Sequence, residues 1–160
     1  MQGKINIGKY SVGYFNFIFY YDNKSLTKLC IVSKNEADKF IITNNNVLYK
    51  NIILELNDYF SGKITKFSLK TNPKGTDFQK KVWQELVKIN YGQTKTYKDI
   101  AINIGNPKAA RAVGMACNKN PVPIIIPCHR VIGSKGGLVG YNSGLKIKKW
   151  LLDFENKNGK

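Results

Sequence analysis

The sequence predicts a small α/β domain followed by a mainly helical one, and three observations carry that prediction. β-forming residues crowd the first third of the chain, in residues 10–21 and Leu26–Val32, with the turn signal Asp22-Asn23-Lys24 between them. From Thr76 onward apolar residues recur at helical spacing instead. Between the two regimes, Asn72-Pro73-Lys74-Gly75 is a turn-forming stretch that reads as a linker, giving domains over 1–72 and 73–160.

In the first domain, residues 10–21 read as a strand and Leu26–Val32 as the strand returning beside it. Between Val47 and Phe60, the residues Leu48, Ile52, Leu56, Tyr59 and Phe60 keep helical spacing, and Ser61-Gly62 is the stop signal. Residues 64–69 alternate enough to predict another strand.

In the second domain, Thr76-Asp77-Phe78-Gln79 has capping-box form, and Phe78, Val82, Leu86 and Ile89 line one face of the helix it opens. A shorter helix is predicted over 97–104, ended by Gly105. Asn106 as N-cap and Pro107 at the first helical position predict the next. Two short helices so joined have the outline of a helix-turn-helix, although an ordinary helix pair with a solvated basic face fits the spacing equally well. Ala110, Val113 and Cys117 form an inward stripe on the second helix, while Lys108, Arg111, Met115 and Lys119 share the opposite face. Small residues at Ala109, Ala110, Ala112 and Gly114 allow close approach to a backbone or a duplex. Ile147, Trp150, Leu151 and Phe154 predict an amphipathic helix near the C-terminus, its outer face carrying Lys146, Lys148 and Lys149.

Charge suggests the partner. Lys and Arg outnumber Asp and Glu by 26 to 10, for a formal net charge of +16 over 160 residues. Residues 1–72 hold ten cations and five anions, whereas residues 73–160 hold sixteen and five. A lysine-rich genome would raise both halves alike, so the skew toward the second suits a polyanion, most simply nucleic acid. No apolar run has membrane-spanning length and no signal-peptide pattern opens the chain, so no membrane partner and a cytoplasmic location, nucleoid-associated in a prokaryote, are expected. Cys30, Cys117 and Cys128 are an odd, sparse set, unlike a secreted disulfide framework. Without a Cys-x-x-Cys or a spaced His pair, no metal site and no cofactor are expected.

Chemistry concentrates at Ile126-Pro-Cys-His-Arg130, where a thiol adjoins the only histidine of the chain and one of its two arginines. The thiolate is the nucleophile, so a reactive Cys128 needs a base or a local positive potential. Neighbours in sequence rarely face each other on regular structure, so a bridging water is the simpler proton relay from Cys128 to His129. A carboxylate on the other imidazole nitrogen would fix the tautomer. Cys30 and Cys117 read as small buried hydrophobes; Cys128, between Pro127 and His129, does not. The other arginine, Arg111, lies on an outward helix face, where a planar guanidinium can stack and fork as an ammonium cannot.

Ile126-Pro-Cys-His-Arg-Val131 resembles the active-site signature of the O6-alkylguanine-DNA alkyltransferases. The resemblance spans residues 75–155 and includes Gly75-Thr-x-Phe-Gln-x-x-Val-Trp-x-x-Leu86, Gly92-x-Thr-x-x-Tyr97, Ile104-Gly-Asn-Pro107, Arg111-Ala-Val-Gly114, Asn120-Pro121, and Trp150-Leu-Leu152 with Glu155. So many ordered matches are far more specific than a lone Pro-Cys-His. The first 70 residues are similar only in size and strand-rich character.

The resemblance implies a ribonuclease-H-like first domain, with a small antiparallel sheet and a helix, and a winged helix-turn-helix in the second. It implies a monomer that binds double-stranded DNA carrying O6-alkylguanine, flips the base, and moves the alkyl group irreversibly to its own cysteine. Cys128 is then the nucleophile, His129 its water-mediated base, and Glu155 the carboxylate orienting His129. Tyr97 protonates the departing guanine, and Asn120 braces the active-site turn. Arg111 fills the vacated base position, with Ala110 and Gly114 on the same DNA-facing helix. The Val131 carbonyl takes the guanine exocyclic amine, and Tyr141 and Asn142 close the pocket, Asn142 through its backbone N–H. Val139 and Ser143 stand where the family more often has glycine, which bears on pocket width, and a positive φ at Ser143 would be strained. A relative that recognises lesions without removing them would lack the cysteine kept here. A helix-turn-helix transcription factor with a redox-sensing thiol explains the charge and Cys128 but not Tyr97, Asn120, His129 and Glu155 together.

Overall fold

A three-stranded antiparallel sheet, in the order β1-β2-β3, organises the N-terminal part: β1 is Asn6–Val12, β2 Phe15–Tyr21 and β3 Leu26–Val32. The computed structural model describes residues 5–159; residues 1–4 and 160, the outer ends of the two expected domains, lie outside the described residues. The chain divides into two units, Met1–Lys74 and Gly75–Lys160.

In the first unit the expected single strand over residues 10–21 is instead two. Gly13, at φ +55°, makes the tight turn that lets Val12 pair with Phe15. β2 is central, and Phe15, Phe17, Ile18, Phe19 and Tyr21 are buried along it, so burial is nearly continuous rather than alternating. Gly8 pairs with Phe19, and a Cβ there would meet the Phe19 ring at 2.2 Å, so the β1 position is open only to glycine. The Asp22 carboxylate accepts from the backbone N–H groups of Lys24 and Ser25, closing the expected second turn.

Helix α1, Lys34–Asp38, was not anticipated, although Ser33 and Glu36 form a capping box that the sequence displays. Helix α2, Val47–Phe60, starts at the Asn46 cap, buries Ile52, Leu56 and Tyr59, and is followed by Gly62 at φ +74°. Residues 64–69 are not a strand. The Glu55 carboxylate takes the Ser68 backbone N–H and hydroxyl, and Phe67 packs on Tyr59, so this segment is tied to α2. Sheet-like pairing comes only afterwards, as a bridge between Thr71 and Leu26.

The second unit is mainly helical. Helix α3, Asp77–Leu86, begins with the expected Thr76–Gln79 capping box and buries Val82, Trp83 and Leu86, with Ile89 buried just beyond. Trp83 donates its indole N–H to the Ala116 carbonyl at 2.9 Å, pinning α3 to helix α5, Ala110–Asn118. Helix α4, Tyr97–Asn103, carries its own capping box, Thr96 with Asp99, and Gly105 at φ +77° turns the chain toward α5.

The start of α5 corrects the expected cap. Asn106 and Pro107 form a turn closed by the Ala109 N–H on the Asn106 carbonyl, and the helix begins three residues later. Proline fits this turn because its fixed φ suits the second turn position as well as a first helical one. Lys108 therefore lies in the turn, not on α5. Val113, Ala116 and Cys117 form the buried stripe, and Ala110 is only half-buried. α4 and α5 are the helix-turn-helix.

Beyond α5 the chain makes a tight loop, a single 3₁₀ turn at Cys128–Arg130, and strand β5, Val131–Ile132. That strand pairs in parallel with β4, Lys95–Thr96. Helix α6, Leu145–Asn158, closes the unit. Lys148 does not share its outer face with Lys146 and Lys149: it is fully buried. Cys30, expected inside, is only half-buried.

Candidate active site

The loop from Asn120 to Cys128 is shaped by one side chain and one strained backbone. The Asn120 amide oxygen accepts from the Val122 N–H at 3.0 Å, while its nitrogen donates to the Ile126 carbonyl at 2.7 Å and to Cys128 Sγ at 3.1 Å. Ile126 N–H closes back onto the Val122 carbonyl, and at the apex Ile124 holds φ +74°, a conformation that a β-branched residue adopts only under constraint. Ile124 is buried and flanked by Pro123, so the turn is held by packing as well as by Asn120. Cys128 thus arrives at its position with no freedom to swing away.

Cys128 is 4% exposed, more buried than its polar flanks suggested. Burial pushes its thiol up to about 11, against the opposing pull of the Asn120 hydrogen bond and the Lys148 charge. At neutral pH the resting group is therefore a thiol, and its proton must leave before sulfur can attack.

His129 follows with its Nε2 2.8 Å from Glu155 Oε1, both side chains fully buried. Burial lowers the imidazole below its usual range, with Glu155 opposing, so it is neutral and Nε2–H donates to the carboxylate. That fixes Nδ1 as the lone-pair nitrogen, and Nδ1 is buried without a hydrogen-bond partner among the described residues. Burial would raise Glu155, but the hydrogen bonds and charges of His129 and Arg130 more than offset it and hold its carboxyl well below the usual range. Arg130 supplies the balancing charge: Nε donates to Glu155 Oε2 at 2.9 Å, Nη2 to Oε1 at 2.8 Å, and Nη1 to the Ile89 carbonyl at 2.6 Å. Gly92 N–H adds a further bond to Glu155 Oε2 at 3.1 Å.

Nothing in the sequence singles out Lys148 for this place. Its Nζ donates to the Val131 carbonyl at 2.6 Å, the Val139 carbonyl at 3.0 Å, and more distantly to the Gly140 carbonyl and the Tyr97 hydroxyl. It therefore ties the 3₁₀-turn segment, the 139–140 loop and α4 together around one buried ammonium. A lysine three residues before Leu151 on the buried face was the only available signal, and it is a weak one because lysine usually snorkels.

Tyr97, at the start of α4, donates its hydroxyl to the Val139 carbonyl at 2.8 Å. Burial raises its phenol well above the usual range, so it stays protonated. A cavity of about 560 Å³ opens outside it, lined among others by Ala110, Arg111, Gly114, Asn118 and Val139. Gly114 faces the Tyr97 ring, where a Cβ would make ordinary contact at 3.7 Å. Cys128 is not among the lining residues; Tyr97 and the 139–140 loop line the cavity. Arg111 stands exposed at its rim. Tyr141 is half-buried, and Asn142 is exposed in the turn leading to α6. The positive φ values in this stretch fall on Gly140 and Gly144, and Ser143 is spared that strain.

Residues 77–157 match the family described as 6-O-methylguanine DNA methyltransferase, DNA binding domain. A methylated-DNA–protein-cysteine methyltransferase of Methanosarcina barkeri is 57% identical over 114 residues, which cover 71% of this chain and 72% of that protein. Mycobacterium tuberculosis OGT, solved in complex with DNA, superposes with a TM-score of 0.85 at 37% identity, over 94% of this chain and 92% of the other. An O6-methylguanine DNA methyltransferase from Methanococcus jannaschii aligns with a TM-score of 0.72 at 30% identity, over 93% of each chain. On its matched domain, its sequence identity and its fold, the chain belongs to the methylated-DNA–protein-cysteine methyltransferase family, the O6-alkylguanine-DNA alkyltransferases.

Proposed function

We propose that this protein repairs DNA by moving the alkyl group of O6-alkylguanine onto Cys128, once per molecule. The observation that carries the reading is the buried series Asn120–Cys128–His129–Glu155, in which a restrained thiol precedes a neutral imidazole with one free lone pair. The Cys128 proton passes through a water to His129 Nδ1, and the ionised Glu155 stabilises the imidazolium that results. The sulfur lone pair forms the S–C bond in line as the C–O6 bond breaks, and its electrons pass into the guanine. Tyr97 supplies the proton that the departing base needs, a role supported by its protonated phenol.

For this chemistry the base must leave the stack, because its alkyl carbon is out of reach inside the duplex. Arg111, on the exposed side of α5, would fill the space left behind, and the small Ala110 and Gly114 beside it let the duplex approach. The Val131 carbonyl would take the guanine amine on the lone pair that Lys148 leaves free, while Tyr141 and the Asn142 N–H close over the base. Residues 73–160 would carry both DNA binding and chemistry, with residues 1–72 as a separate α/β domain. A monomer acting on double-stranded DNA in the cytoplasm fits the DNA-bound relative and the three free cysteines. Among the described residues no helix is long and apolar enough to cross a membrane.

The test is direct. Incubation with a duplex containing O6-methylguanine should add one methyl to the Cys128 peptide by mass spectrometry, and Cys128→Ser should add none. Wild-type protein that binds the lesion yet stays unmodified would overturn the reading.

A further inference from the structure

Helix α5 has an exposed face, and the proposed function uses only part of it. Arg111, Ala112, Met115 and Asn118 are exposed along it, with Lys119 just past its end, whereas Val113, Ala116 and Cys117 are buried. Met115 is 59% exposed, while the other side chains of that face are polar or a single methyl. One exposed apolar residue is ordinary on a protein surface and means little alone. Its neighbours give this one a context.

Met115 follows Arg111 by four residues and precedes Lys119 by four, so the three form one row along the helix, an apolar group between two cations. Arg111, Gly114 and Asn118 line the cavity outside Tyr97, and Met115 does not. It is turned to the other flank of the row, where its neighbour is the single methyl of Ala112.

In the repair reading the space over this row belongs to the duplex, with Arg111 in the place that the flipped base leaves. Side chains four apart on a helix stand about 5–6 Å from one another. Stacked bases are about 3.4 Å apart along a strand. A group beside Arg111 therefore comes level with the first or second base next to the vacated position. Flipping takes a stacking partner from that base and loosens the step. An unbranched, polarisable thioether can press into a loosened step, as apolar wedges do in other DNA-bending proteins, whereas an ammonium would turn to the phosphates.

We infer that Met115 is an apolar wedge against the base step beside the flipped nucleotide, holding the lesion in its extrahelical state. This rests on the repair reading for base flipping and for the place of Arg111, but not for the methyl transfer. The wedge meets its base face only where a nucleotide has left the stack, so it adds to lesion binding and little to the binding of intact DNA.

The measurement is the affinity of the full chain, by fluorescence anisotropy, for an O6-methylguanine duplex and for the same duplex undamaged. A Cys128→Ser background keeps the lesion unconsumed. Met115→Ala should weaken binding to the lesion duplex roughly tenfold, the scale of one apolar side chain buried on binding. Binding to the undamaged duplex should fall less than about twofold, with the salt dependence unchanged because no phosphate contact is removed. Met115→Leu should keep the preference for the lesion. With Cys128 present, Met115→Ala should react with free O6-methylguanine base at the parent rate.

An unchanged preference in Met115→Ala, or equal losses on both duplexes, overturns the inference. So does a loss in Met115→Leu as large as in Met115→Ala, a shallower salt dependence, or a slower reaction with the free base. If the Met115-dependent preference is found but wild-type protein takes no methyl from the lesion duplex, the repair reading fails and the wedge stands. If the methyl is taken and the preference does not depend on Met115, the wedge fails and the repair reading stands.

Discussion

Arg130 and Glu155 show what a single pair of residues does to the chemistry around it. Glu155 is fully buried yet ionised because the hydrogen bonds and charges of His129 and Arg130, the latter with two parallel hydrogen bonds, outweigh its burial, and His129 is neutral because its own burial outweighs the pull of Glu155. Glu155→Gln leaves the guanidinium buried without its counter-charge, at a cost of about 3–5 kcal/mol. A fall of that size in a urea unfolding curve is the expected result, with methyl transfer from a lesion duplex slowed as the imidazole loses its orientation. The sequence made Cys128, His129 and Glu155 legible through the family resemblance, and His129 stands between the other two, next to Cys128 in the chain and hydrogen-bonded to Glu155. It did not make Arg130 legible as a structural partner, since nothing in Pro-Cys-His-Arg says which carboxylate the arginine meets 25 residues away. Lys148 was hidden for the opposite reason: it lies among lysines on an amphipathic helix, and only tertiary packing selects the one that turns inward.

At the scale of elements, helices were readable where a stripe coincided with a capping box, as in α3, or with a stop signal, as in α2. The start of α5 was misplaced because Asn-Pro serves a turn and a helix cap equally well, and the choice depends on the three residues that follow. Residues 64–69 carried a strand-like pattern, but Glu55 and Tyr59 of α2 claim that segment through Ser68 and Phe67. α5 itself separates two duties along its length. Val113, Ala116 and Cys117 pack inward, while Arg111 stands exposed at the mouth of the cavity. Removing the Arg111 side chain should therefore spare the chemistry and damage only its access to a duplex. Arg111→Ala is expected to lower the methyl transfer rate from duplex DNA at least tenfold, about 1.4 kcal/mol, and to leave the reaction with free O6-methylguanine base unchanged. Equal losses on both substrates would place Arg111 in the fold or the chemistry instead.

The whole molecule should lose stability as the solution is acidified, in two stages. Burial lowers His129, so the unfolded chain takes up a proton below about pH 6.5 that the folded chain refuses, and stability falls as pH drops from there. Glu155 repeats the pattern lower down. Its folded carboxyl is held well below the usual range, so the unfolded chain binds the extra proton below roughly pH 4.5. Urea midpoints at pH 8, 6 and 4 should decrease in that order, and a midpoint that rises on acidification would contradict both assignments. The hydrogen bond from Tyr97 to the Val139 carbonyl has a consequence on the same scale. A phenol has one hydrogen to give, and here it is already given. With Tyr97 in its proposed role, a guanine arriving at the thiol finds its proton donor engaged with the loop, so reaction has to wait for the loop to let go. Under saturating lesion duplex, the ceiling on the single-turnover rate then counts loop openings per second, whichever alkyl group is being removed.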